Sequence, residues 1–133
     1  MTGFSILVIE DDQVSAIVVT EQLKMTGAKV TILEDGRQAL EALRREPFDL
    51  ALMDVQMPIM DGVEATRAIR RGEAGADNAK MPIIAMTAYA MKDDKETFLN
   101  AGMDYYVVKP VEMADLRNVL RQVDRKRRLS SAS

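Results

Sequence analysis

The 133-residue chain contains no cysteine and no histidine. Without cysteine there can be no disulfide, thiolate nucleophile or cysteine-bound zinc within it. That fits a reducing compartment, and a cytoplasmic location is expected. The missing histidine excludes more, because it removes the commonest general base and the commonest transition-metal ligand. Chemistry must then run on carboxylates, hydroxyls and lysine, with a hard, oxygen-seeking ion such as Mg²⁺ as the expected metal. Also lacking are a long apolar run and a charged-then-apolar leader, so no membrane contact or secretion is expected of this domain. A net charge of -3 argues against a nucleic-acid surface. What remains is 47% hydrophobic and 29% charged, a composition suited to one globular domain with a single core.

The stretch FDLALMDVQMPIMDG at 48–62 carries the strongest local signal. Its apolar run (Leu50, Ala51, Leu52, Met53) stops at Asp54, and turn chemistry follows at Pro58 and Asp61-Gly62. A short apolar run closed in this way reads as a buried strand with Asp54 at its carboxyl end. Around it the chain alternates. Residues 5–9 form a first strand, followed by Glu10, Asp11 and Asp12. Asp12 can cap the next helix, over about 13–26, which is expected to turn Val14, Ile17, Val18 and Met25 toward the core and to stop near Gly27. Glu10 and Asp11 have no such local role, and adjacent like charges at a strand end are relieved by a bound cation. A second strand spans Ala28 to Leu33. Capping boxes at Asp35/Gln38 and Asp61/Glu64 open two further helices, with Ala39, Leu40, Leu43 and Val63, Ala65, Ala68, Ile69 as their inner faces. Residues 72–80 (GEAGADNAK) read as a spacer loop. A fourth strand runs from Pro82 to Met86, a charged helix covers about 92–100, and a fifth strand spans Tyr105 to Val108. The last helix begins near Glu112 and bears a stripe of Met113, Leu116, Val119, Leu120 and Val123. The order βαβαβαβαβα predicts an α/β fold, a five-stranded parallel sheet doubly wound as (βα)5 in a flavodoxin-like three-layer sandwich.

In such a sheet the carboxyl ends of the strands converge on one crevice. Glu10 and Asp11 fall there after the first strand, Asp54 after the third, Thr87 after the fourth and Lys109 after the fifth. Three carboxylates, a hydroxyl and an ammonium suit phosphoryl transfer. One or two carboxylates hold Mg²⁺, and another with a free oxygen can attack phosphorus to give an aspartyl phosphate. The charge on the transferring group is met by the metal, Lys109 and Thr87.

The blocks IEDD, LMDVQMPIMDG, MTAYA and VVKP, in this order and spacing, resemble the receiver domain of two-component response regulators, the domain of the chemotaxis regulator, over about residues 5–123. The resemblance implies that Asp54 accepts a phosphoryl group from the phosphohistidine of a histidine kinase or histidine phosphotransfer protein. Glu10, Asp11, Asp54 and the backbone carbonyl of Gln56 would hold Mg²⁺, with Asp11 a direct ligand. Thr87 and Lys109 would grip the phosphoryl oxygens, with Lys109-Pro110 a cis peptide. The Tyr106 ring would turn inward as Thr87 moves, changing the surface of the fourth helix, fifth strand and last helix, through which a homodimer can form. Gln56 and Tyr89 would tune the phosphate's lifetime, and a bulky Tyr89 that hinders water implies minutes or longer. The receiver is expected over 1–128 with a disordered tail at 129–133. DVQMPIMDGVEATRAIR is similar to receivers within hybrid histidine kinases, so the chain is expected to be one of these or a single-domain regulator.

Two other readings stay open on the residues alone. One is a Mg²⁺-dependent phosphohydrolase with an aspartate nucleophile, although those enzymes resemble a DxD pattern after the first strand, where the acids here are contiguous. The other is a docking module that is never phosphorylated. Met53, Met57 and Met60 read as adaptable packing beside the site. The basic run RQVDRKRR reads as cations favoured at a helix carboxyl end.

Overall fold

In the computed structural model the chain is described over residues 4–55, 61–88 and 92–132. Five parallel strands make one sheet: β1 (Ser5–Ile9), β2 (Lys29–Leu33), β3 (Leu50–Asp54), β4 (Ile83–Thr87) and β5 (Tyr105–Val108). Their spatial order is β2-β1-β3-β4-β5. The helices are α1 (Gln13–Lys24), α2 (Gly36–Arg45), α3 (Gly62–Arg70), α4 (Lys92–Ala101) and α5 (Met113–Ala132), with a 3-10 turn over Ala76–Asn78 between α3 and β4. No helix among the described residues is long and apolar enough to cross a membrane.

Strand side chains alternate between faces, and both faces here are covered. Ile6, Val8 and Leu52 pack with Val19 and Leu23 of α1 and Leu116 and Leu120 of α5. Leu7, Ile9 and Met53 pack on the other face with Leu40 of α2, Ile69 of α3 and Phe98 of α4. β3 and β4 are buried along their whole length, which accounts for their unbroken apolar runs. The edge strand β2 is partly exposed and carries lysine and threonine among its apolar residues. Strand order reverses between β1 and β3, and that reversal opens a crevice beyond their carboxyl ends.

The expected inner face of α1 is wrong. Val14 and Met25 are 70% and 72% exposed, and Ile17 and Val18 also face outward, while Ala16, Val19, Thr20 and Leu23 are buried. Apolar residues surround this helix on all sides, so periodicity does not select a face; the i, i+3, i+4, i+7 set starting at Ala16 satisfies the same rule. The inner residues expected of α2 are buried. In α3 the expected Ala65, Ala68 and Ile69 are buried, and Val63 packs against the core at partial burial. The 72–80 segment is more than a spacer: Asn78 Nδ2 donates to the carbonyls of Leu43 and Ala74, and Arg44 Nε donates to Glu73 O, which ties the segment to the end of α2. α5 continues to Ala132, into the stretch expected to be a frayed tail.

The lower end of the sheet, away from the acids, is fastened by one arginine. Arg70 donates to the carbonyls of Gly102 (2.9 Å) and Ala79 (3.0 Å) and pairs with Asp104 at 2.9 Å. Gly102 ends α4 at a φ of 106°, and a Cβ there would lie 2.8 Å from Arg70 Cγ.

Candidate functional site

The site begins with residues that have local reasons to be where they are. Asp12 caps α1, its Oδ2 accepting from Ser15 Oγ at 2.7 Å and from Ser15 N at 3.4 Å. The cap turns the chain sharply after β1 and leaves Glu10 and Asp11 at the strand mouth. Glu10 donates its N–H to Leu33 O of β2, and its Oε1 accepts from Asp12 N. Its side chain is thereby directed inward and is buried, whereas Asp11 is exposed. Asp54 ends β3 opposite Met86 of β4, and Thr87, one residue further, lies opposite Val108 of β5. Both are buried. Lys109 follows β5, its N–H donating to Thr87 O at 2.7 Å, and Lys109-Pro110 is a cis peptide.

These elements bring four charged groups together. Lys109 Nζ lies 2.6 Å from Glu10 Oε2 and 3.0 Å from Asp54 Oδ2, so one ammonium bridges two buried carboxylates. A carboxylate oxygen from each of Glu10, Asp11 and Asp54 falls within 4.8 Å of the others. Burial and the neighbouring Asp54 carboxyl push Glu10 up from 4.5 to about 7, against the pull of Lys109. Burial on its own would lower the Lys109 ammonium, but its contacts with Glu10 and Asp54 outweigh this and hold it above its ordinary value.

Three oxygen donors with surplus negative charge fit a small divalent cation, and the raised Glu10 is what such a cation would relieve. Tyr106 stands apart from this cluster. It is partly exposed on β5 and lines a groove of about 480 Å³ with Phe98, Leu99, Val108, Asn118 and Gln122. Gln56 and Tyr89 lie outside the described residues, as do Met57 and Met60; Met53 is fully buried.

Some neighbours were invisible in the sequence. Gly62 reads there only as the residue after a capping aspartate, yet a Cβ on it would lie 2.2 Å from Asp54 O and 3.1 Å from Val55 Cα. A glycine at the first helical position, where alanine or proline serves the helix better, is the signal that could have pointed to it. Gln22, which donates to Val111 O at 2.8 Å across 89 residues of sequence, offers no local signal.

The family model of the response regulator receiver domain matches residues 6–121. The chain belongs to that family. It is a receiver domain of two-component phosphorelay, a phosphoacceptor type that works with histidine kinases or phosphotransfer proteins. The sensor protein GacS of Pseudomonas syringae pv. syringae is 43% identical over 115 residues, 86% of this chain and 13% of that protein. Hybrid signal transduction histidine kinase I of Dictyostelium discoideum is 43% identical over 120 residues, 86% of this chain and 7% of its own length. The receiver thus spans a small part of the curated relatives it matches. Among solved structures, the receiver domain of a sensor histidine kinase from Pseudomonas aeruginosa is 40% identical with a TM-score of 0.81, covering 91% of this chain and 97% of that one. That structure holds a magnesium ion coordinated in its active-site cleft.

Proposed function

We propose that Asp54 of this receiver accepts a phosphoryl group from the phosphohistidine of a partner kinase or phosphotransfer protein. The observation that carries this is the Lys109 ammonium set between Asp54 and Glu10 at the mouth of the crevice. In the transfer one Asp54 carboxylate oxygen forms a bond to phosphorus as the phosphorus–nitrogen bond of the donor breaks. The electron pair stays on the imidazole, which then takes a proton from solvent. Lys109 moves with its charge from the carboxylate to a phosphoryl oxygen, and the Thr87 hydroxyl donates to another. Glu10, Asp11, Asp54 and the Gln56 carbonyl would hold Mg²⁺, which when bound neutralises charge developing on the phosphoryl oxygens.

The donor must reach Asp54, so its docking surface has to border the crevice. Val14, Ile17 and Val18 expose an apolar crest on α1, and the hollow beside it is lined by Val14, Val18, Lys109, Pro110 and Val111. Lys109 belongs to both the hollow and the site, which supports this face as the landing surface of the phosphohistidine partner. Phosphorylation then draws Thr87 toward the phosphate and Tyr106 inward from its groove, remodelling the face of α4, β5 and α5; that face is also where a homodimer would form. Gln56 and Tyr89 would set how long the phosphate lasts. Similarity to hybrid kinases favours a receiver that belongs to a longer histidine kinase over a single-domain regulator, with the receiver itself in the cytoplasm, passing on a phosphoryl group without turnover of its own and without a nucleic-acid partner. The test is intact mass after incubation with acetyl phosphate and Mg²⁺. One added phosphoryl group in the wild type and none in Asp54→Asn is expected; uptake by both would remove Asp54 from its role.

A further inference from the structure

Lys109 holds both buried acids from a segment with few backbone handles. On one side its own N–H donates to Thr87 O at 2.7 Å. The next residue, Pro110, has no N–H to give. On the other side the Val111 side chain is buried in the core, and the polar hold on its backbone comes from α1, where Gln22 Nε2 donates to Val111 O at 2.8 Å. The orientation of the amide follows from its partner, because a flipped amide would set two acceptors against each other. The other amide atom, Oε1, is buried and finds no protein partner among the described residues. Burying an unpaired amide oxygen lowers stability. For the fold alone, the cost of this unpaired oxygen offsets much of what the Gln22–Val111 bond contributes, so an apolar side chain of equal length would serve about as well at this half-buried position. What glutamine alone supplies is the grip on Val111.

We propose that Gln22 is a positioning residue for phosphoryl transfer. By pinning the Val111 carbonyl it fixes the Lys109–Pro110–Val111 segment, and through it the place of the Lys109 ammonium over Asp54. The proposal rests on Asp54 being the acceptor. The carboxylates do not ride on this segment: Glu10 and Asp11 follow β1, and Asp54 ends β3. Loss of the Gln22 grip should therefore misplace the cation without disturbing the metal ligands.

Gln22→Met keeps the length and removes the donor, whereas Gln22→Lys keeps a donor at that position. The rate of phosphoryl uptake from acetyl phosphate at saturating Mg²⁺, the Mg²⁺ affinity by calorimetry and the Tm are measured for each. Gln22→Met should slow uptake about tenfold, in keeping with the sensitivity of transfer to small misplacements, with affinity within about twofold of wild type. Its Tm should stay within a few degrees of wild type, because the lost bond to Val111 and the removed unpaired oxygen offset each other, and Gln22→Lys should recover most of the rate. A wild-type rate in Gln22→Met overturns the proposal. So does a loss of Mg²⁺ affinity in step with the rate, or a rate loss that tracks a lowered Tm and is not recovered by lysine. Should the wild type itself take up no phosphoryl group, the acceptor reading fails separately, and the Lys109 side-chain ammonium signal in NMR of the metal-free protein decides this one. A shift in Gln22→Met that Gln22→Lys reverses upholds the positioning role, and no shift overturns it.

Discussion

Adding one methyl group at Gly62 should damage both the fold and the acceptor. The Cβ of Gly62→Ala would lie 2.2 Å from Asp54 O, 3.0 Å from Asp54 C and 3.1 Å from Val55 Cα. Carbon contacts settle near 3.5 Å, so the start of α3 and the end of β3 must part by roughly 1 Å. The obstructing atoms are backbone, which cannot rotate aside as a flexible side chain can. Overpacking of this kind costs about 1–3 kcal/mol, and the better helix propensity of alanine recovers less than about 1 kcal/mol. A net loss of about 2 kcal/mol corresponds to a Tm lowered by roughly 6–10 °C in a domain of this size. The displaced atoms belong to Asp54 itself, so its carboxylate leaves its 3.0 Å contact with Lys109, and phosphoryl uptake should slow at temperatures where the variant is fully folded. Gly72→Ala is the control: no atom lies within 4 Å of its Cβ, and its φ of 89° alone carries a strain of about 1 kcal/mol. Circular dichroism melting and intact-mass kinetics read both quantities. A Gly62→Ala protein with wild-type Tm and wild-type uptake would refute the steric reasoning.

Three further outcomes follow from the geometry. In metal-free protein Glu10 sits at about 7 against 4.5 unfolded, so the folded state binds its proton more tightly. Stability from this group is full below pH 4.5 and is lost as pH rises through 7, a fall of up to about 3 kcal/mol in chelator-containing denaturant titrations. Glu10→Gln should flatten that slope; an unchanged slope would exclude Glu10 as its source. Mg²⁺ at a hundred times its dissociation constant should stabilise the wild type by about 2.7 kcal/mol. Asp11→Asn should need far more Mg²⁺ for the same gain, and equal responses would remove Asp11 from the metal site. Arg70→Met, which strands two carbonyls and Asp104, should cost about 2–3 kcal/mol by urea unfolding while leaving uptake unchanged. A loss of uptake under folded conditions would show that the lower end of the sheet governs the site.

The sheet and the five strand-end residues were legible because their signals are local. Apolar runs at Ile6–Ile9, Leu50–Met53 and Ile83–Met86 end at polar residues, and strand ends in this topology share one crevice. The caps at Asp12, Asp35 and Asp61 were legible for the same reason, each being a contact within four residues. What could not be read depends on contacts between distant segments. The inner face of α1 is chosen by α5 and the sheet, since Val14, Ile17 and Val18 are as apolar as the buried Val19 and Leu23. The bridge from Lys109 to Glu10 joins the end of the last strand in sequence to the end of the first, and the bond from Gln22 to Val111 joins the first helix to the last loop. The 72–80 segment is small and polar like a spacer, and only its contact with the Leu43 carbonyl near the end of α2, beside the local Ala74 carbonyl, gives Asn78 its role.

As phosphoacceptor, the Asp54 carboxylate becomes an acyl phosphate. Borohydride reduces an acyl phosphate to the alcohol, which at an aspartate leaves homoserine. The phosphorylated wild type should therefore be reduced and mapped by tandem mass spectrometry of its peptides. Homoserine at position 54, dependent on both phosphodonor and Mg²⁺, is the result predicted. Homoserine at position 11 or 12 with Asp54 intact, or none anywhere in protein that carries the added phosphoryl mass, would contradict it.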